Sequence, residues 1–274
     1  MLKIEKTVLP SPEQWEIIIE GMRNPKNSWS LMDSDDGCLQ GTCGKCGFNP
    51  NWCGAKPEYV IGPNDHKLMD QLNEGGPVHA KYRRMIPVYV TMTAPLYFWK
   101  EFDTYKIGTV CNSCSTMHKI DAKEFTLDDF SHEHLFDTDI DDSINENDMF
   151  LAIKGYSENN YCREYWDSIE VLKVTIDGLN YYRKRFKECE AKLKRTDLTE
   201  AERRHVTAQK KHYWWQMIQL LPSSYNQKRT IMLNYEVLVG IYKWRKGHKL
   251  DEWHTFCSWI ESLPYFELIA GGEV

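Results

Sequence analysis

Four cysteines stand close together in CLQGTCGKCGFNPNWC, at Cys38, Cys43, Cys46 and Cys53. A Cys-Gly-Lys-Cys-Gly turn lets backbone amides wrap a metal-bound sulfur, and four thiolates can close a tetrahedral zinc site. The outer spacing is shorter than in ordinary zinc ribbons, so a glycine-rich loop with free thiols is the competing reading. A second group lies in PLYFWKEFDTYKIGTVCNSCSTMH, residues 95–118, where a tight aromatic run is followed by Lys106, Asn112 and Ser115. Asn112 and Ser115 carry donors suited to a phosphate or a pyrimidine edge, and suited equally to local bonds within a turn. The stretch therefore reads either as a buried amphipathic helix followed by a surface loop, or as a nucleotide site built where that helix ends. Cys111 and Cys114, a further Cys-x-x-Cys inside it, read as ordinary packing.

Composition narrows the classes. The chain has 274 residues and a formal net charge of −6, which disfavours a protein that coats a nucleic-acid polymer, since that task needs a basic face to displace counterions. The sequence holds no apolar run of the ~20 residues needed to span a bilayer, and the opening MLKIEKTVLPSPEQW lacks the apolar stretch of a signal peptide. The expectation is a cytoplasmic protein that does not act at a membrane. Nine cysteines, an odd number, then read as reduced thiols or metal ligands rather than a disulfide framework.

The elements that must position these residues follow from periodicity. Ser11 before Pro12 predicts a helix start, with Trp15, Ile18, Ile19 and Met22 on one face. The segment 37–58 is rich in Gly and Cys and reads as an insertion between helices, with Asn64 as the N-cap of the next one. Residues 86–93 form the best strand candidate, and Pro95 is expected to open a helix running toward Gly108. The acidic stretch 126–148 reads as solvated loop or short helical turns. Residues 161–193 and a helix opened by the Thr199/Glu202 capping box and running through Leu221 predict an antiparallel helical hairpin. Further helices are expected over 227–244 and 251–262. Tyr213, Trp214 and Trp215 read as helix core.

In register, HAKYRRMIPVYVTMTAPLYFWKEFDTYKIGT resembles the strand, helix and signature loop of the flavin-dependent thymidylate synthases. That family's leading His and helix-opening Pro fall on His79 and Pro95, and its Arg-Gln-Trp-x-Arg-His-Arg run falls on Lys100 to Lys106. Its signature Ser falls on Ser115 after a one-residue insertion. A second block, LPSSYNQKRTIMLNYEVLVGIYKWRKGH, is similar to the family's Leu-Pro segment and to its Asn, Arg and His, at Leu221-Pro222, Asn234, Arg245 and His248. Together the blocks span about a quarter of the chain. Thr104-Tyr105-Lys106 stands in place of Arg-His-Arg, Met117 or His118 in place of the Arg after the signature Ser, and Glu236 in place of an Arg beside the Asn. Arg presents a planar fork that neither Thr nor Lys reproduces.

The resemblance implies one domain over 1–274 with the 37–58 insertion within it. It implies an α+β fold, an antiparallel sheet with flanking helices and a long helical hairpin. It implies FAD as cofactor, dUMP or a related uridine nucleotide as substrate, a reduced folate as one-carbon donor, a nicotinamide reductant and a homotetramer. Arg245 and Ser115 take the catalytic positions, and Lys106, Asn112, Ser115, Arg245 and Glu101 the substrate positions. His79, Tyr105, Asn234 and His248 take the flavin positions. Arg245 also reads as a solvated cation beside Lys243 and Lys246. Loss of the Arg-His-Arg triplet leaves a noncatalytic nucleotide-binding homologue as an alternative, and the Cys-rich insertion leaves a zinc-containing interaction protein.

Overall fold

A computed structural model describes residues 1–37, 58–135 and 168–270. Its first element, β1 (Lys3–Val8), goes unread in the sequence because almost all its side chains are exposed, so no alternating apolar face marks it. Helix α1 (Pro12–Arg23) starts where Ser11 predicts. The Ser11 hydroxyl accepts the Gln14 N–H, and the Gln14 side chain accepts the Ser11 N–H. Such caps contribute about 1 kcal/mol.

The short strands β2 (Asp35–Gly37) and β3 (Glu58–Val60) pair antiparallel. Helix α2 (Pro63–Glu74) follows with Gly62, not the expected Asn64, at its N-cap. The capping oxygens come from elsewhere in the chain: Asp33 accepts the N–H groups of Asn64 at 3.0 Å and Asp65 at 3.1 Å. A Cβ on residue 62 would lie 2.3 Å from the Asp33 carbonyl oxygen, so this approach requires glycine.

Strand β4 (Pro87–Pro95) matches the predicted strand, whereas α3 (Leu96–Phe102) is shorter than expected. Pro95 ends the strand instead of opening the helix, and the chain leaves the helix before β5 (Val110–Ser113). A single 3₁₀ turn, Leu127–Asp129, occupies the described part of the acidic stretch. Helices α4 (Ser168–Leu193) and α5 (Glu200–Leu220) form the long hairpin, with the Thr199/Glu202 box at the turn as expected. The predicted helix over 227–244 is corrected: its first part is strand β6 (Asn226–Asn234), and only then does α6 (Tyr235–Arg245) begin. Gln227, Ile231 and Leu233 are buried while Lys228 and Thr230 are exposed, a period near two that an unbroken run into Leu238 hides. Helices α7 (Asp251–Glu261) and α8 (Glu267–Ala270) complete the described elements.

The fold is α+β, with a four-stranded sheet in the order β1-β4-β6-β5. The β1–β4 and β5–β6 pairs are antiparallel. The chain divides into two compact units: Leu2–Thr93, Lys100–Ser113 and Lys228–Val274 form one, and Met1, Ala94–Trp99 and Cys114–Gln227 the other. The second unit buries Ile120, Phe125, Phe130, Leu172, Leu179 and Met217 around the helical hairpin. Tyr213 and Trp214 pack against that cluster, while Trp215 is exposed, which corrects its reading as core. The first unit holds the sheet's main part and a buried aromatic group of Phe102, Trp253 and Phe256. Among the described residues, no helix is long and apolar enough to cross a membrane.

Candidate functional site

The buried ring of Phe102 ends α3 and stacks on Trp253 of α7, centroids 6.2 Å apart. This places Glu101, one residue earlier, beside the last turn of α6. The Arg245 Nη1 donates to Glu101 Oε2 at 2.8 Å, and Arg245 Nε donates to the Tyr105 hydroxyl at 2.9 Å. The guanidinium carbon lies 4.6 Å from the Trp253 ring centroid and 5.6 Å from that of Tyr105, within cation–π range of both. Trp253 Nε1 also donates to Glu101 Oε2, at 3.0 Å. The Leu250 N–H donates to His248 Nδ1, so the imidazole proton sits on Nε2, which lies 3.4 Å from the same carboxylate oxygen.

One carboxylate oxygen thus faces an arginine, an indole and an imidazole. The site is neither sealed nor bare, with side-chain exposures of 18% for Arg245, 35% for Glu101 and 25% for His248. Glu101 Oε1 and Arg245 Nη2 take no partner among the described residues. The loop 103–109 between α3 and β5 is held in three places. Arg229 Nη1 donates to Asp103 at 2.7 Å, Tyr105 meets Arg245, and Gly108 packs against Asn234 and Val237. Gly108 has φ +75°, and a Cβ there would lie 3.0 Å from Val237 and 3.2 Å from Asn234 Nδ2, so both conformation and space call for glycine.

The geometry gathers four residues singled out in the sequence: Glu101, Tyr105, Arg245 and His248. It commits the others to different contacts. Asn234 is the N-cap of α6, its Oδ1 accepting the Val237 N–H at 3.1 Å. Glu236 ion-pairs with the buried Arg83 at 3.0 Å. His79 is exposed on the turn after α2, where it covers Gly75, and takes no part in the cluster. Lys106 is exposed, and Asn112 is exposed on β5 opposite Thr230. Ser115 belongs to the other unit and accepts the His118 N–H at 3.0 Å, the local turn bond that was its alternative reading.

Cys111 and Cys114 are exposed rather than packed, a correction that follows from their place on and just beyond an edge strand whose side chains are all exposed. Buried Cys257 is a different case, its thiol pushed up to about 11 by burial. Cys38, Cys43, Cys46 and Cys53 lie outside the described residues. Pairing of Gly37 with Glu58 joins the two flanks of their segment. Among the described residues, no group of three or more metal-ligating side chains could hold an ion.

Trp253 is the site residue that sequence reasoning missed. It reads as one apolar position of a short helix, and only its place in the first turn after Arg245-Lys246-Gly247-His248 hints that it folds back over the arginine.

The chain matches no family model and no curated protein. Solved structures similar to it include thymidylate synthase X from Helicobacter pylori with FAD and dUMP, at 12% identity and a TM-score of 0.48, covering 99% of this chain and 97% of that one. A second structure of the flavin-dependent enzyme from Helicobacter pylori, complexed with FAD and dUMP, has the same identity and TM-score and covers 99% and 98%. The UMP/dUMP methylase PolB from Streptomyces cacaoi, bound with 5-Br dUMP, is 10% identical with a TM-score of 0.47, covering 98% of this chain and 94% of that one.

Proposed function

We propose that the chain binds a uridine nucleotide at the Arg245 cluster and methylates its pyrimidine in a flavin-dependent reaction. One observation carries this reading. Two sequence blocks matched separately to the flavin-dependent thymidylate synthases, far apart in the chain, meet in direct contact through Glu101 and Tyr105 from one and Arg245 and His248 from the other.

Arg245 supplies the cation for a phosphate, or for a pyrimidine carbonyl that gains negative charge as the ring is substituted. Trp253 and Tyr105 orient the guanidinium, and the buried ring of Phe102 fixes Trp253 in turn. A bound flavin supplies the hydride chemistry, leaving the protein to bind, orient and exclude water. Of the four residues assigned to FAD, Tyr105 and His248 stand in the cluster, while Asn234 is spent on a helix cap and His79 stands apart. These four do not assemble a flavin pocket within one chain, so a pocket for the flavin needs residues from more than one copy. A homotetramer in which copies share the pocket, a reduced folate donor, a nicotinamide reductant and a cytoplasmic setting complete the proposal.

A second reading, nucleotide binding without catalysis, is favoured by Thr104-Tyr105-Lys106, since Thr104 is exposed and its hydroxyl turns back to donate to the Glu101 carbonyl. The test is reconstitution with FAD followed by titration with dUMP. The methyltransferase reading expects flavin absorbance that dUMP perturbs, and nucleotide binding weakened by about 1.5 to 3 kcal/mol in Arg245→Ala, the scale of a hydrogen bond to a charged group. Binding of dUMP with no retained flavin selects the second reading, and no dUMP binding rejects both. For the cysteine-rich segment we propose one zinc per chain. Metal analysis of protein prepared without chelator decides it, and freely alkylated thiols with no zinc would discard the site.

A further inference from the structure

We propose that Glu101 is a built-in competitor for the nucleotide phosphate, holding Arg245 until a dianionic phosphate ester displaces it. The inference rests on the nucleotide reading of the cluster and adds how its affinity and charge selectivity are set.

Arg245 is the cation in direct contact with both aromatic faces, and its Nη1 is already bonded to a carboxylate at 2.8 Å. An anion that takes the Nη1/Nη2 edge of this guanidinium competes with Glu101 for Nη1, whereas the Nε/Nη2 edge is guarded by the Tyr105 hydroxyl. The exchange is open in three respects. Glu101 is 35% exposed, so its carboxylate can rehydrate on leaving. Only its Oε2 is bonded, whereas the buried Asp65 in the same unit engages both oxygens. Glu101 also stands in the last turn of α3, where exposed carbonyls disfavour a negative charge.

Charge selectivity follows from the exchange. A monoanion replacing a carboxylate gains no Coulomb energy, because one unit charge substitutes for another at the same cation. A phosphate monoester dianion gains the additional charge. Its advantage is larger here than in water because Arg245 is 82% covered, the complement of its 18% exposure.

Calorimetric titrations of the full chain and of Glu101→Gln with dUMP, uridine and inorganic phosphate test the proposal. Gln keeps a carbonyl oxygen for the Trp253 and His248 N–H groups while removing the charge, and Glu101→Ala serves as a second variant should Gln disturb the fold. The expected result is dUMP affinity about three- to tenfold tighter in the variant, with uridine affinity unchanged. Equal or weaker dUMP binding by the variant, with the parent still binding, overturns the competitor role and leaves the nucleotide reading standing. If neither protein binds dUMP, the nucleotide reading falls. Tighter inorganic phosphate binding by the variant would then still support the competitor, and equal or absent phosphate binding would overturn it as well.

Discussion

Two arginine–carboxylate pairs in the same unit are built to opposite ends. Arg23 and Asp65 are 3% and 0% exposed and meet at 2.5 Å. Asp65 Oδ2 also accepts the Asp33 N–H, the Ser34 N–H and the Ser34 hydroxyl, and Arg23 Nη1 donates to the Ser28 carbonyl and hydroxyl. Arg245 and Glu101 are 18% and 35% exposed. Both arginines bond through Nε and Nη1, and Arg23 Nη2 is buried with no partner among the described residues; the pairs differ in their carboxylates, since Asp65 bonds through both oxygens and Glu101 through Oε2 alone. A carboxylate taken wholly out of water needs its hydrogen bonds from the protein, and Asp65, bonded through both oxygens and out of reach of solvent, is closed to a competing ligand. A charge left partly wet keeps some bonding capacity in reserve. Chemical identity alone therefore does not separate a clamp from a binding group; exposure and the bonds made by the carboxylate do.

The largest expected effect falls on the buried pair. Asp65→Ala leaves Arg23 buried without its carboxylate and should cost about 3 to 5 kcal/mol of stability, read as a lowered urea midpoint. Arg245→Ala, by contrast, should cost less than about 1 kcal/mol of stability, since Glu101 can rehydrate. Equal losses in the two variants would break the comparison.

Acid sharpens it further. Burial by itself raises the Asp65 pKa, but the Ser34 hydroxyl, the Asp33 N–H and Arg23 outweigh burial and hold it below its ordinary 3.8. A depressed folded pKa means that this contribution is complete above pH 3.8 and is lost as pH falls through the lower folded value. Urea midpoints between pH 5 and pH 2 should fall more steeply in the parent than in Asp65→Asn, and parallel curves would contradict the assignment. The smallest effect belongs to His66, whose ring nitrogens lie 3.1 Å from Asp70 and 3.1 Å from Glu267. Burial lowers its pKa, but the Glu267 and Asp70 carboxylates prevail and raise it above 6.5. Its contribution is therefore full below pH 6.5 and lost as pH rises through the folded value. Replacing His66 by Ala should cost under about 1 kcal/mol at pH 6 and less at pH 9, and a gap that does not shrink would discard the ion pairs.

Legibility in the sequence tracked how local each cause is. The starts of α1 and α5 were readable because Ser11 with Gln14 and Thr199 with Glu202 carry their caps within four residues. The cap of α2 is harder to read because its oxygens come from Asp33, some thirty positions earlier, and Pro63 at the first helical position is the local mark of Gly62. Strand β6 was hidden for a related reason. It runs into α6 with no Gly or Pro between, so Asn234 alone marks the change of period. At the site, Glu101, Tyr105, Arg245 and His248 were legible through family register, whereas Trp253 arrives from a separate helix and depends on tertiary packing with Phe102. His79 and Asn234 share the same register without sharing the cluster, because a turn and a helix cap have already claimed them.

The central claim is that the partly exposed pair, and not another basic patch, receives the nucleotide. A crystal structure of the protein soaked with dUMP tests it most directly. The account predicts the phosphate or pyrimidine oxygen within about 3 Å of the Arg245 guanidinium, with Glu101 turned away and Trp253 unmoved. Nucleotide bound elsewhere, with Arg245 and Glu101 still joined, would contradict it.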